Sequence, residues 1–178
     1  MEIVIALLSS FLSRPRRQQV GVLPYRVGED GQVRILLITS RQSRNWIVPK
    51  GNLMPGRSWT EAAAQEAFEE AGVVGQIDDV AIGQYRYQKA RPLGLGRPCV
   101  VTIFPFEVER QETEWPEQHE RSQCWATLGA AARMVRNREL GRVIAAFSPG
   151  AHSPAPLLAR LGRSIFIPDR KRRWADQR

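Results

Sequence analysis

The sequence predicts one domain of the α/β or α+β class. Strand-like stretches lie on both sides of a clearly bounded helix, and two helix-like stretches follow before residue 148. At 178 residues the chain is long enough for one sizeable core. With 43% hydrophobic and 25% charged residues, its composition is that of a soluble globular protein rather than a fibrous or disordered one.

The elements follow in order. Residues 1–17 hold an apolar run of roughly a dozen residues, too short to span a bilayer. The run lacks the basic leader and small-residue cleavage site of a signal peptide, so a packed or interfacial extension is expected. Gln18 to Val27 and Val33 to Thr39 read as strands joined by a turn at Glu29-Asp30-Gly31, where Gly31 suits a left-handed backbone. Arg41 to Pro49 reads as a loop leading into Lys50 and Gly51. Ser58 and Glu61 then form an S-x-x-E capping box, and Ala62, Ala63, Ala64 and Ala67 favour a helix of about four turns. Ala63, Ala64, Ala67, Phe68 and Ala71 give it an apolar stripe, and Gly72 is a left-handed stop.

Gly75 to Gln88 looks extended, with Tyr85 and Tyr87 alternating with Arg86. Lys89 to Arg97 is a basic turn rich in Gly and Pro, and Pro98 to Glu109 an apolar strand expected to break at Pro105. Glu112 to Ser122 is an acidic loop, and Gln123 to Ala126 a short last strand. Leu128 to Val135 and Arg138 to Phe147 read as helices, and a basic tail starts at residue 148.

The net charge of +8 is concentrated at the ends. Residues 151–178 carry seven Lys/Arg against two Asp, and residues 1–17 three Arg against one Glu. These ends suit a solvated tail or weak contact with a nucleic acid or another polyanion. Cys99 and Cys124 have no CxxC partner and are too few for a disulfide framework, so a cytoplasmic setting is expected.

Chemistry is concentrated between residues 51 and 73. Glu66, Glu69 and Glu70 stand three and four residues apart near a helix C-terminus, on the face expected to lie opposite the apolar stripe. Each like-charge pair there costs roughly a few tenths of a kcal/mol, and the macrodipole adds to the penalty. A hard divalent cation would offset both.

This segment resembles the Nudix box, G-x5-E-x7-R-E-U-x-E-E-x-G-U, where U is a bulky aliphatic residue. Gly51, Glu66, Glu69, Glu70, Gly72 and Val73 fall at matching positions. Arg57 replaces the first glutamate, Gln65 the arginine, and Ala67 the bulky aliphatic residue. In the family that glutamate and arginine pair to support the loop, and here both are changed together. The resemblance implies the Nudix fold, a mixed β-sheet sandwiched between α-helices, over residues 18–147. Residues 1–17 and 148–178 are then extensions.

The resemblance also implies a hydrolase that cleaves a pyrophosphate bond with Mg2+ or Mn2+. Glu66, Glu69, Glu70 and the backbone carbonyl of Lys50 would hold the ion. The general base would be a box glutamate or a carboxylate from the loop Trp115 to Arg121, with Glu117 and Glu120 as candidates. His119 in that loop reads most simply as a surface residue. The run Arg41-x-x-x-x-Trp46-Ile47-Val48-Pro49 and the spacing Arg121-x-x-x-Trp125 resemble the diphosphoinositol polyphosphate phosphohydrolase branch, which also cleaves dinucleoside polyphosphates. By that match Arg17, Arg41 and Arg121 would bind phosphate, while Arg86, Lys89 and Arg97 are candidates by location alone. Asn52-Leu53 departs from the branch, which has a second glycine after the box glycine. The rival reading is a catalytically weak Nudix-fold module that binds a nucleotide or RNA. The partner expected first is a small phosphorylated substrate; oligomeric state is not legible.

Overall fold

The computed structural model describes residues 16–89 and 96–150. The N-terminal apolar run, the centre of the basic turn after Lys89 and the basic tail after Gly150 lie outside the described residues. The strands are β1 (Arg17–Val27), β2 (Val33–Thr39), β3 (Trp46–Ile47), β4 (Lys50–Asn52), β5 (Val73–Ile77), β6 (Gly83–Lys89), β7 (Arg97–Gln111) and β8 (Gln123–Thr127). The helices are α1 (Trp59–Ala71), α2 (Leu128–Met134) and α3 (Arg138–Ala145).

One mixed sheet runs β3-β2-β1-β7-β5, with β4 on β1, β6 on β7 and β8 on β2. β1 and β7 are parallel, from Arg17 opposite Cys99 to Tyr25 opposite Glu107, and the other pairs are antiparallel. The central strands are apolar at consecutive positions because both sheet faces are covered. Leu36, Ile38, Val20, Val22, Phe104 and Phe106 pack with the alanines of α1. Ile35, Leu37, Leu23, Tyr25, Val101 and Ile103 face the other way, onto Ala131 of α2 and Leu140 and Ile144 of α3. Both helical layers therefore follow from the period-two alternation of side chains along the strands.

Three local expectations are corrected. Pro105 does not interrupt β7, which pairs with β1 straight through Leu23 opposite Pro105. The Pro105 carbonyl accepts the Asp78 N–H at 3.1 Å, beyond the end of β5 and before β6 begins. The missing N–H thus faces a gap in the neighbouring ladder, where proline is tolerated. Residues 75–88 form two strands rather than one extended run. Residues 41–49 include β3, where Ile38 opposes Ile47 and Thr39 opposes Trp46.

Candidate active site

α1 begins as its capping box dictates. Ser58 Oγ accepts the Glu61 N–H at 3.2 Å, and Glu61 accepts the Ser58 N–H at 2.7 Å. It ends at Gly72, with φ of 67° and its N–H on the Phe68 carbonyl. A Cβ at Gly72 would stand 2.5 Å from the Trp115 ring, so glycine also seats the acidic loop.

That loop caps the rest of the helix end. The last carbonyls of a helix have no partner within it. Here the Glu117 N–H donates to the Glu69 carbonyl at 3.0 Å and Gln123 Nε2 to the Ala71 carbonyl at 2.8 Å. The Glu112 N–H donates to the Gly72 carbonyl at 2.8 Å. The acidic face expected opposite the apolar stripe is thus not open to water: Glu69 and Glu70 are 3% and 5% exposed and packed under the loop.

The cleft beside α1 has a volume of about 880 Å³. Glu66, Glu70 and Glu117 line it, with Lys50, Arg41, Lys89, Tyr85, Tyr87 and Gln19 among the facing groups. Glu66 lies against the backbone of Gly51, where a Cβ would come within 2.0 Å of its Oε1. Glu70 accepts the Lys50 N–H at 2.9 Å and a hydrogen bond from Arg121 Nη2. The N–H and C=O of one strand residue project to the same edge, so the Lys50 carbonyl also points toward the helix. Arg121, with its side chain only 5% exposed, also donates to Glu117 at 2.7 Å and to the Thr39 carbonyl at 2.9 Å.

Burial pushes the Glu70 carboxyl above its ordinary value of 4.5, against the pull of Arg121 and Lys50. Burial likewise lowers the Lys50 ammonium, which sits 5.0 Å from the centre of the Tyr87 ring. It raises the hydroxyls of Tyr85 and Tyr87, so both stay protonated near neutrality. Tyr87 donates to Gln19 at 2.6 Å, and Gln19 donates to Asn52 at 3.0 Å.

The donor set suits a hard divalent cation. Glu66 and Glu70 offer carboxylate oxygens to one cleft, Gly51 leaves room at Glu66, and Arg121 already places positive charge between Glu70 and Glu117. Among the described residues no three His, Cys, Asp or Glu side chains stand together as a ready metal cage. Glu70 and Glu117 instead share the Arg121 guanidinium, and Glu70 also takes the Lys50 N–H.

Residues 15–147 match the family model described as the NUDIX domain. The chain belongs to the Nudix family. Nudix hydrolase 21, chloroplastic, of Arabidopsis thaliana is 32% identical over 134 residues, which are 74% of this chain and 66% of that protein. The match thus spans just under two thirds of that relative's length. Diphosphoinositol polyphosphate phosphohydrolase 2 of Rattus norvegicus is 36% identical over 61 residues, 34% of each chain. The C. elegans Ap4A hydrolase structure shares the Nudix fold, with a TM-score of 0.54 at 20% identity over 74% of this chain and 95% of that one.

Around the Nudix box the residues singled out in sequence divide sharply. Glu66, Glu70, Lys50, Gly51, Arg41, Lys89, Glu117 and Arg121 line the cleft. Glu69 does not, because Gln65 Nε2 holds its carboxylate at 2.7 Å in the interior. Glu120 and Arg41 meet at the rim, 3.2 Å apart, and His119 is exposed outside the cleft. Arg121 is an internal counter-ion, its guanidinium shared among Glu70, Glu117 and Thr39 rather than open to phosphate. Arg86 points away from Tyr85 and Tyr87, as strand alternation requires, and pairs with Glu139 at 3.4 Å. Arg17 and Arg97 also lie outside the cleft lining.

Sequence reasoning missed Gln19, Asn52, Arg136, Asn137 and the aromatic wall of Tyr85 and Tyr87. The alternation at residues 85–87 was the available signal, since it sets both tyrosines on one face.

Proposed function

We propose that this Nudix domain is a divalent-metal-dependent pyrophosphohydrolase for a phosphate-rich nucleotide or inositol derivative, of dinucleoside polyphosphate or diphosphoinositol polyphosphate type. The observation that carries the reading is one cleft in which Glu66, Glu70 and Glu117 face Lys50, Arg41 and Lys89. Bound Mg2+ or Mn2+ would neutralise pyrophosphate charge and acidify a water. Glu66, Glu70 and the Lys50 carbonyl would hold the ion. Arg41 and Lys89 would bind phosphates away from the broken bond, where guanidinium and ammonium donors suit phosphate oxygens. Glu117, which reaches the cleft where Glu120 does not, is the loop carboxylate placed to take a proton from water.

The engagement of Glu70 and Glu117 by Arg121 favours a second reading, a Nudix module that binds its ligand without turnover. One assay separates the two. The protein is incubated with Mg2+ or Mn2+ and diadenosine polyphosphates or diphosphoinositol polyphosphates, and products are resolved by anion exchange. Metal-dependent release of phosphate or nucleotide supports the enzyme. Tight binding with no product supports the module. Among the described residues no helix is long and apolar enough to cross a membrane. The free thiols of Cys99 and Cys124 are compatible with a cytoplasmic setting, which is part of this proposal.

A further inference from the structure

Two of the three box positions that depart from the family pattern, Arg57 and Gln65, are joined in space to Glu69. Arg57 Nη1 donates to Gln65 Oε1 at 3.3 Å, and Gln65 Nε2 donates to Glu69 Oε1 at 2.7 Å. Gln65 and Glu69 are 7% and 3% exposed, so neither bond is exchanged freely for water. A primary amide has one acceptor end and one donor end. The guanidinium demands the acceptor and the carboxylate demands the donor, so turning the amide over would spoil both contacts. Arg57, on the loop before α1, thereby sets the direction of a hydrogen bond one helical turn beyond Gln65.

Glu69 in turn is held at both ends. Its carboxylate takes the Gln65 amide, and its backbone carbonyl takes the N–H of Glu117. Glu117 is the loop carboxylate that lines the cleft, 3.4 Å from Arg41 and 2.7 Å from Arg121. The chain of contacts therefore runs from the entry loop of α1, along its buried side, to the loop that supplies the cleft with its third carboxylate.

We infer that Arg57, Gln65 and Glu69 form a positioning relay that sets the last turn of α1 and, through the Glu69 carbonyl, the seat of Glu117. Glu69 is a positioning residue in this chain rather than a group that touches metal or substrate. The inference rests on the proposed hydrolase reading for its kinetic consequence, but the contacts themselves do not.

The test uses the full chain with Gln65→Glu. This variant keeps the size of the side chain and its contact with Arg57, and in its ionised form has no hydrogen to donate to Glu69. We expect a folded protein with KM nearly unchanged and kcat reduced about tenfold, the size of effect seen when outer-shell partners of a site are removed. Amide hydrogen exchange in residues 113–122 should quicken in protein without metal. Affinity for Mn2+ alone should stay near wild type. Gln65→Met, which cannot donate and is at most a weak acceptor, should repeat the exchange result if Gln65→Glu folds poorly. Arg57→Glu combined with Gln65→Arg should restore kcat, while each single change lowers it.

Wild-type exchange of residues 113–122 in both Gln65 variants would overturn the relay. So would a loss of Mn2+ affinity in Glu69→Gln without change in that exchange, because Glu69 would then be a metal ligand. The exchange arm needs no turnover, so a wild-type protein that hydrolyses nothing would defeat the proposed function and leave the relay separately tested.

Discussion

Two arginine–carboxylate pairs in this molecule have the same chemistry and opposite surroundings. Arg34 and Asp30 meet at 2.6 Å on the exposed turn between β1 and β2. Arg121 and Glu70 meet in the cleft, with side chains only 5% and 7% exposed. On the turn, hydrogen bonds from Arg34 and the Gln32 backbone lower Asp30 from 3.8 to about 2. In the cleft, loss of water is the larger effect and raises Glu70 despite its arginine and the Lys50 N–H. The turn pair follows from its local sequence, whereas the cleft pair joins residues 51 positions apart and exists only because the fold places them together. Water decides the sign: a carboxylate that keeps its hydration gains from a partner, while one that loses it first has that cost to overcome.

The largest expected effect tests the cleft pair directly. Arg121→Ala leaves Glu70 buried beside Glu117 without their shared cation, and should lower unfolding free energy by about 3–5 kcal/mol. Urea denaturation at neutral pH measures it. A loss no larger than that of an ordinary surface substitution would mean that water or another cation replaces Arg121 at no cost.

Glu70→Gln should lower kcat about a hundredfold, as when one fixed electrostatic group is lost from a site. Near wild-type turnover in the Mg2+ or Mn2+ assay would remove Glu70 from the chemistry. The same variant reads the raised carboxyl through stability. Between the unfolded value near 4.5 and the higher folded value, the native state binds the Glu70 proton and the unfolded state does not. This group's contribution to stability therefore falls as pH rises through that window and recovers as pH falls. Unfolding free energy of wild type minus that of Glu70→Gln should increase as pH drops from neutrality toward 4.5. The opposite slope would show that Arg121 outweighs burial.

Arg41→Ala should raise KM for highly phosphorylated substrates more than it lowers kcat, because the side chain is 57% exposed at the rim. A kcat loss at constant KM would move Arg41 to the reacting phosphate. The smallest effect is expected on the turn. Asp30→Asn should leave activity unchanged and alter stability only slightly at neutral pH, since exposed pairs contribute little. The stability that Asp30 does contribute is present above 3.8 and lost as pH falls toward about 2, so the variant should differ from wild type least in that acid range. Comparison of the two acid unfolding profiles checks this.

Much of the frame could be read before any coordinates. Ser58, Glu61 and Gly72 set the ends of α1 through contacts within a few residues, and the strand-like runs on either side of the Glu29-Asp30-Gly31 turn marked β1 and β2, which the structure reproduces to within a residue. Pro105 misled because its tolerance depends on where β5 stops and β6 starts, which no neighbour in sequence reveals. Glu69 misled for a related reason. Helical spacing placed it beside Glu66 and Glu70, but Gln65 and the capping loop took it inward.

What the sequence determined alone was local: the caps, the periods, the spacing of the box and the concentration of acid at one helix end. These depend on torsions and on neighbours three or four residues away, which any 20-residue window contains. The tertiary structure alone decided which of Glu66, Glu69, Glu70, Glu117 and Glu120 share a cleft, and that Arg121 neutralises two of them. Those choices arise where orphan carbonyls at the end of α1 find their donors some 40 to 50 residues downstream, and where burial strips water from charges that the sequence leaves far apart.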